Sequence, residues 1–370
     1  MSTSTKHSMD GGRVTMKEVA EAAGVSASTV CRALNSNPQI PEATRQRIQA
    51  VADQLGYRPD PLLSAFAARR RGSSTGSSVT TIAYITNFKS RDIWLKNPFY
   101  LRCYEGAKRR LEGQGYKLEH FWLGEPNMTP GRLSRILYAR GILGLFLAPT
   151  PNVHKPLDLD WEKFSCATVG YSHMSPILHR STPHHFHAMQ EALKRLYYLG
   201  YKRVGLCVFT DTSRRVDELW LSAVLLAQYD RLKGIGKKDR EFNISTFLFN
   251  DTTLKDTPAW CRQEKLDVVI SDNLEVMEEL TGAGIHMPGE VDFVSLGWFE
   301  GQSDIAGVDQ RPADIGAAAT DLIVGALQRG ERGVPAVPLT TMVEGVWVDG
   351  PSLTKKIPTS PSFASPLDTQ

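Results

Sequence analysis

Residues 14–35 read VTMKEVAEAAGVSASTVCRALN, two amphipathic segments on either side of Gly24. Each is shorter than the roughly 12–15 residues that an isolated helix needs to persist in water. Neither segment can fold unless it packs on something else, and this constrains the N-terminal region more than its composition does. In the first, Val19, Ala20 and Ala23 recur at helical spacing, Thr15 is placed to act as N-cap, and Glu18 three residues on completes a capping box. Gly24 ends that helix. Ser26 is then the N-cap of a second helix whose Val30, Ala33 and Leu34 face the first, while Ala27, Ser28, Thr29 and Arg32 face away. A third segment, PEATRQRIQAVADQLG, opens with Pro41 in its first turn, buries Ile48, Val51, Ala52 and Leu55, and stops at Gly56. The spacing predicts a small all-α domain over residues 14–58, preceded by a disordered stretch over 1–13.

Two helices joined at a tight glycine turn, the second turning small polar groups and an arginine outward, describe either a generic helical hairpin or a helix-turn-helix whose second helix enters the DNA major groove. Charge favours the second reading. The chain as a whole carries a formal charge of only +3, yet residues 1–72 hold ten Lys/Arg against six Asp/Glu. A basic head on a neutral body points to a polyanion partner for the head alone. Residues 57–72, YRPDPLLSAFAARRRG, add a short helix capped by Asp60, with Pro61 in its first turn. It shows Leu62, Leu63 and Phe66 with almost no domain of its own to bury them. Two copies meeting in a dimer would cover the leucines and leave Phe66 to wedge between base steps of the minor groove.

These residues resemble the lactose-repressor/galactose-repressor (LacI/GalR) family of transcription regulators. The match runs without a gap from Val14 to about Ala68, through VTMKEVAEAAGVSASTVCRALN, PEATRQRI and LGYRPDP. The resemblance implies a homodimer reading two half-sites of a pseudo-palindromic double-stranded DNA operator, with paired hinge helices over residues 59–78 in the central minor groove. By position, Ala27, Ser28 and Arg32 fall where the family reads base edges. Thr15, Ser26, Thr29, Asn35 and Tyr57 fall among its phosphate-side and supporting contacts, and Leu63 lies in its hinge. Phe66 stands where the family has an intercalating leucine, a departure that changes the wedge. Ala27 and Ser28 are too short for a bidentate base contact, so Arg32 carries the direct readout, most simply of guanine O6 and N7, the alternative being a phosphate contact. The run Arg69–Arg71, beside the hinge, suits phosphates.

Beyond the polar joint RRRGSSTGSS, apolar strand-like runs alternate with helical ones: TIAYIT, GILGLFLAP, CATVGY, RVGLCVF, DVVIS and VDFVSLGW, with helices such as HAMQEALKRLYYLGY and RPADIGAAATDLIVGALQRGE. This alternation predicts parallel sheets covered by helices. The family resemblance continues more weakly and implies a two-lobed periplasmic-binding-protein-like effector domain over 79–350, with the chain crossing between lobes three times. The fold class is therefore an N-terminal all-α helix-turn-helix domain plus an α/β two-lobed domain with two parallel sheets flanked by helices. Lobe 1 is placed at about 79–178 and 308–334, lobe 2 at about 179–307 and 335–350, and a disordered tail at 351–370, rich in Pro, Ser and Thr. That tail has no leucine heptad of the kind that adds a tetramerisation helix, which leaves a dimer as the expected assembly.

An enzyme is the competing class for such a body. The chain contains no G-x-G-x-x-G after a strand, no G-x-x-x-x-G-K-[ST], no H-E-x-x-H and no G-x-S-x-G. A ligand sensor is the simpler partner for a helix-turn-helix, and no cofactor is expected. The ligand should bind at the C-terminal ends of the strands, facing the interlobe cleft. By order along the chain the candidates are Asn87, Phe88, Phe99 and Tyr100 in lobe 1 and Asp217, Asp272 and Trp298 in lobe 2, with Arg214 or Arg215 replacing Asp217 if the register shifts by a turn. Aromatic faces with carboxylates suit a hydroxyl-rich small molecule, a sugar or sugar derivative. Control by a protein partner or corepressor, and transcription activation rather than repression, are the alternatives.

His184, His185 and His187 raise the question of a metal. Zinc needs convergent ligands, whereas adjacent histidines at a helix start diverge by about 100 degrees. They are expected instead at the cleft edge or a dimer surface, where protonation would tune the ligand response. The five scattered cysteines contain no C-x-x-C pair and fit reduced thiols. No apolar run reaches the roughly 18 residues of a membrane span, and the polar start MSTSTKHSMDGGR carries no secretory signal, so the expected location is the cytoplasm.

Overall fold

The opening pair of segments forms two helices at the predicted places, α1 (Met16–Ala22) and α2 (Ala27–Leu34), followed by α3 (Glu42–Gln54). A computed structural model describes residues 14–34, 40–57, 80–150, 156–232 and 242–355. The expected hinge helix, with Leu63 and Phe66, lies outside these residues, as does Asn35. The chain divides into two compact units, Met1–Ser78 and Val79–Gln370.

In the first unit the capping box is complete. The Thr15 hydroxyl accepts from the Glu18 N–H, and the Glu18 carboxylate accepts from the Thr15 N–H at 2.6 Å. The Thr15 N–H, and then the Thr15 hydroxyl, which donates at 2.9 Å, hold the Glu18 carboxyl below its usual range. Gly24 closes α1 with φ +62°, and the Val25 N–H reaches back to the Ala20 carbonyl at 3.0 Å, so the left-handed residue turns the chain while still pairing its amides. Val19, Val30 and Ile48 are completely buried, with Ala20, Ala23, Ala33 and Ala52 around them. Val51 and Leu34 pack at the margin of this core. Leu55, expected inside, is exposed, while Tyr57 two residues on packs at the edge of the core.

The second unit contains two six-stranded sheets. The first is built from β1 (Thr80–Thr86), β2 (Tyr116–Trp122), β3 (Gly144–Leu147), β4 (Ser165–Val169), β5 (His179–Pro183) and β11 (Thr340–Val343), in the order β11-β5-β4-β3-β1-β2, and every pairing is parallel. The second is built from β6 (Arg203–Phe209), β7 (Asn243–Phe249), β8 (Val268–Ser271), β9 (Asp292–Trp298), β10 (Ala306–Asp309) and β12 (Val346–Val348), in the order β12-β10-β9-β8-β6-β7. Only β12 runs antiparallel, against β10. Helices α4 (Pro98–Gly113), α5 (Pro130–Ala139) and α11 (Pro312–Arg329) pack on the first sheet. The second carries α6 (His185–Tyr198), α7 (Thr210–Arg215), α8 (Leu219–Leu232), α9 (Thr257–Glu264) and α10 (Glu275–Gly282).

The chain crosses between lobes at residues 183–184, 310–311 and 344–345. These positions correct the expected lobe boundaries. Strand β5, assigned from sequence to lobe 2, pairs with β4 and β11 in lobe 1. Its sequence, HRSTP, lacks the apolar character of a buried strand, yet Arg180, Ser181 and Thr182 are buried and the strand is held by ladder hydrogen bonds. The segment TTMVEGVWVDG, expected wholly in lobe 2, splits into β11 and β12 in different lobes. Residues 351–355, expected to belong to a disordered tail, are anchored. The Ser352 hydroxyl accepts from the Ala306 N–H at 2.8 Å and donates to the Phe293 carbonyl at 2.7 Å, and the Thr354 N–H and hydroxyl both donate to Asp292 at 2.7 Å. Residues 356–370 lie outside the described residues.

Helices α4 and α11 cross at backbone contact. A Cβ on Gly106 would lie 2.0 Å from the Ala313 carbonyl oxygen, and one on Gly316 would lie 1.9 Å from that of Cys103. Overpacking there cannot be relieved by a rotamer change, so Gly316→Ala should destabilise the chain by at least about 1–3 kcal/mol in urea unfolding. Gly113→Ala, on the same α4 with nothing near its Cβ position, is the control and should be close to neutral.

Candidate functional site

On the head, α2 presents one polar face. Ser26, Ala27, Ser28 and Arg32 are exposed and Thr29 is half-buried. Ser26 caps the helix by accepting from the Thr29 N–H at 3.2 Å, and its hydroxyl lies 2.9 Å from that of Ser28 and 2.8 Å from that of Thr29. This places three hydroxyls at the end of the helix where its dipole favours an anion. No described residue pairs with the Arg32 guanidinium, which leaves it available to a partner outside the domain. Thr15 is occupied by its own capping box. Tyr57 packs on the margin of the three-helix core with its N–H on the Ala52 carbonyl.

In the second unit a cavity of about 290 Å³ opens between the lobes, at the low end of the range for small-molecule pockets. It lies at the C-terminal ends of strands in both sheets, where an open α/β sheet places its ligands. Four of the seven residues expected there line it: Phe99, Tyr100, Asp272 and Trp298. The first two are positioned by Asn97, whose side-chain oxygen caps α4 by accepting from the Phe99 and Tyr100 N–H groups at 3.0 and 3.2 Å.

Three expected residues do not line the cavity. The Phe88 ring packs 5.6 Å from that of Tyr100, and its carbonyl accepts from the Trp122 indole, so it backs the wall rather than forming it. Asn87, beside it, is likewise absent from the lining. Asp217 is replaced by Arg215, because the helix after β6 ends at Arg215 and the chain then takes two left-handed residues, Asp217 and Glu218. The Asp217 charge still acts on Tyr171, whose hydroxyl is raised by burial and then by Asp217.

Sequence reasoning missed Tyr171, Trp220 and Phe299 in the walls. All three are aromatics in loops or at helix starts, and no periodicity marks them. The histidines separate. His185 is buried and lines the cavity edge-on to Trp220 at 5.2 Å, while His184 and His187 stack on each other elsewhere.

Two contacts tie the lobes across the cleft. Arg215 donates to the Tyr100 hydroxyl at 2.9 Å, and Arg102 donates to the Glu300 carbonyl at 2.9 Å with its guanidinium 5.8 Å from the Phe299 ring. Inside, Asp272 Oδ1, His185 Nδ1 and Trp220 Nε1 are buried without a hydrogen-bond partner among the described residues. Burial raises the Asp272 carboxyl to about 6, against the opposing effect of hydrogen bonds from its own backbone and the Thr212 side chain. Burial, then His184, lowers His185 to about 3, so it is a neutral ring at ordinary pH. Unpaired buried polar atoms are costly, and these three belong to residues that line one cavity.

Residues 15–60 match the sequence profile described as bacterial regulatory proteins, lacI family. The head of the chain is thus a LacI-type helix-turn-helix. Among curated relatives, the HTH-type transcriptional regulator PtxS of Pseudomonas plecoglossicida is 37% identical over 107 residues, 29% of this chain and 27% of the relative. The ribose operon repressor of Bacillus subtilis (strain 168) is 34% identical over 104 residues, 28% of each chain. A longer match, at 23% identity over 241 residues and 62% of each chain, is to the NTD biosynthesis operon regulator NtdR of the same organism. The aligned segments thus span between about a quarter and under two thirds of these relatives.

Solved structures of two transcription regulators share the fold over most of the chain. The lac repressor dimer bound to operator and the anti-inducer ONPF aligns with TM-score 0.51 at 17% identity, covering 91% of this chain and 98% of that one. The transcriptional regulator CelR in complex with cellobiose aligns with TM-score 0.55 at 19% identity, covering 92% and 100%. The relatives are transcriptional regulators, not enzymes. No helix among the described residues is long and apolar enough to cross a membrane.

The position of Asp272 predicts a pH signature. Its folded pKa of about 6 lies above the 3.8 of an open chain, so the native state holds the proton more tightly. The penalty of the buried carboxylate is absent below about pH 4 and complete above about pH 6. Asp272→Asn should therefore gain about 2–3 kcal/mol relative to the parent chain on going from pH 4 to pH 7 in urea unfolding. A difference independent of pH would mean that the carboxyl titrates normally.

Proposed function

We propose that this protein is a dimeric repressor of transcription, that its α2 face reads a pseudo-palindromic operator, and that a hydroxyl-rich carbohydrate in the interlobe cavity controls it. The observation that carries the effector reading is the cavity itself, with aromatic walls from Phe99, Tyr100, Tyr171, Trp220 and Trp298 and with unpaired polar atoms on Asp272, His185 and Trp220. Aromatic faces cover the C–H surface of a sugar ring, while the Asp272 carboxylate accepts from its hydroxyls. The cellobiose bound to CelR and the name of the ribose operon repressor support a carbohydrate.

Control follows from the latches. A ligand seated beside Tyr100 and Arg215 changes the contact that joins the lobes, and a difference in affinity between two lobe arrangements shifts the population between them. The hinge residues 59–78 connect that change to the head. Arg32 reads a guanine edge, the hydroxyls of Ser26, Ser28 and Thr29 engage phosphates, and Phe66 and Leu63 act in the hinge with Asn35 and Tyr57 in support.

Thermal stability of the full chain against mono- and oligosaccharides, sugar acids and sugar phosphates tests the effector reading. At a hundredfold excess over Kd a ligand stabilises by about 2.7 kcal/mol, a shift of a few degrees in Tm. Silence across the whole set would refute a carbohydrate effector. For the head, Arg32→Ala should lower discrimination between operator and mismatched duplex by about 1–3 kcal/mol while leaving salt-dependent non-specific binding in place. Unchanged discrimination would remove Arg32 from base readout.

A further inference from the structure

Away from the cavity, His184, His187 and Glu344 each offer one ligand atom, and the three atoms lie within 4.8 Å of one another. Adjacent histidines on a helix diverge, as His184 and His185 do. His184 and His187, by contrast, are three residues apart at the start of α6 and so share a helix face. Their rings stack with centroids 3.7 Å apart and planes inclined by 13°. His184 Nδ1 accepts from the His187 backbone N–H at 3.2 Å, and His187 Nδ1 lies 3.2 and 3.4 Å from the two Glu344 oxygens.

The place of this cluster in the fold is unusual. His184 lies in the first interlobe crossover, between β5 and α6, and Glu344 lies in the third, between β11 and β12. The two crossovers are joined by a hydrogen bond from the His184 N–H to the Val343 carbonyl at 2.8 Å. The side chains of His187 and Glu344 are 54% and 62% exposed, at the end of a broad groove lined also by Ala188 and Trp347. An ion can reach them from solvent, and water can complete its coordination.

We propose that His184, His187 and Glu344 form a binding site for a divalent transition-metal ion of the zinc, nickel and copper class, clipping the first and third crossovers together. Two imidazoles and one carboxylate form a donor set that these ions prefer, whereas magnesium and calcium seek oxygen ligands only. With metal–ligand bonds of about 2.0–2.2 Å, tetrahedral ligand atoms stand roughly 3.4 Å apart, so the cluster must tighten by about an ångström, within reach of side chains at the surface. His184 exchanges its cap hydrogen bond for the metal. Binding through Nδ1 takes the accepting nitrogen directly, and binding through Nε2 moves the ring proton to Nδ1. His187 likewise exchanges its hydrogen bond to Glu344 for a shared ion. Because the ion holds two of the three segments about which the lobes move, its binding is coupled to lobe closure and reciprocally to occupation of the cavity.

Full-length protein without an affinity tag, stripped with a chelator, is titrated calorimetrically with Zn²⁺ and followed by Co²⁺ absorption. The expected result is one ion per chain, a Co²⁺ visible spectrum showing imidazole and carboxylate ligation, and at least tenfold weaker binding in both His187→Ala and Glu344→Gln. The exposed His286→Ala variant should bind as the parent does, and circular dichroism verifies that every variant is folded. Absence of Zn²⁺ binding by the parent chain overturns the proposal, as does binding that survives in both His187→Ala and Glu344→Gln.

Discussion

The second unit of the chain depends on one helix crossing. Helices α4 and α11 meet where Gly106 and Gly316 allow backbone to touch backbone, with no room for a Cβ on either. The two helices are separated by about two hundred residues of chain, which in between leaves lobe 1, builds the second sheet and returns. Lobe 1 is therefore incomplete until lobe 2 has been traversed, a non-local closure that carries a loop-entropy cost before its contacts form. The N-terminal ends of both helices line the cavity, through Asn97, Pro98, Phe99 and Tyr100 on one side and Pro312 on the other. The crossing that completes the lobe thus also fixes a wall of the site.

The polar groups of that site carry a cost in the folded protein. Asp272 holds a carboxyl raised by burial, and its Oδ1, His185 Nδ1 and the Trp220 indole N–H lack partners among the described residues. A core built only for stability would have paired or removed them. They belong to residues grouped around one cavity, and hydrogen bonds from Arg215 and Arg102 join the two lobes beside it. The first and third crossovers are bonded to each other through His184 and Val343.

Residues in the cavity were legible from sequence to different degrees. Phe99 and Tyr100 were found by their order along the chain, at the first helix after the first strand, and Asp272 and Trp298 because they stand at the C-terminal ends of short apolar strands, which must face the cleft. Asp217 was misplaced by a local feature that no hydrophobic pattern reveals: α7 is only six residues long and the chain leaves it through two left-handed positions, bringing Arg215 to the cavity instead. Tyr171, Trp220 and Phe299 gave no sequence signal, because an aromatic in a loop reads the same whether it lines a ligand or packs a core.

The sequence by itself determined what is local: the capped α1 ending at Gly24, the outward polar face of α2, and the alternation of apolar strands with amphipathic helices. Those features rest on interactions within a few residues, so the chain declares them wherever it goes. Only the tertiary structure decided which sheet each strand joined. HRSTP became a buried strand of lobe 1 because backbone hydrogen bonding, which any sequence can supply, outweighed its polar side chains once β4 and β11 lay alongside. Likewise TTMVEGVWVDG divided between lobes, and His184 came to face Glu344, only because the crossovers brought remote segments together. Such neighbours are set by the path of the folded chain, and no single segment encodes that path.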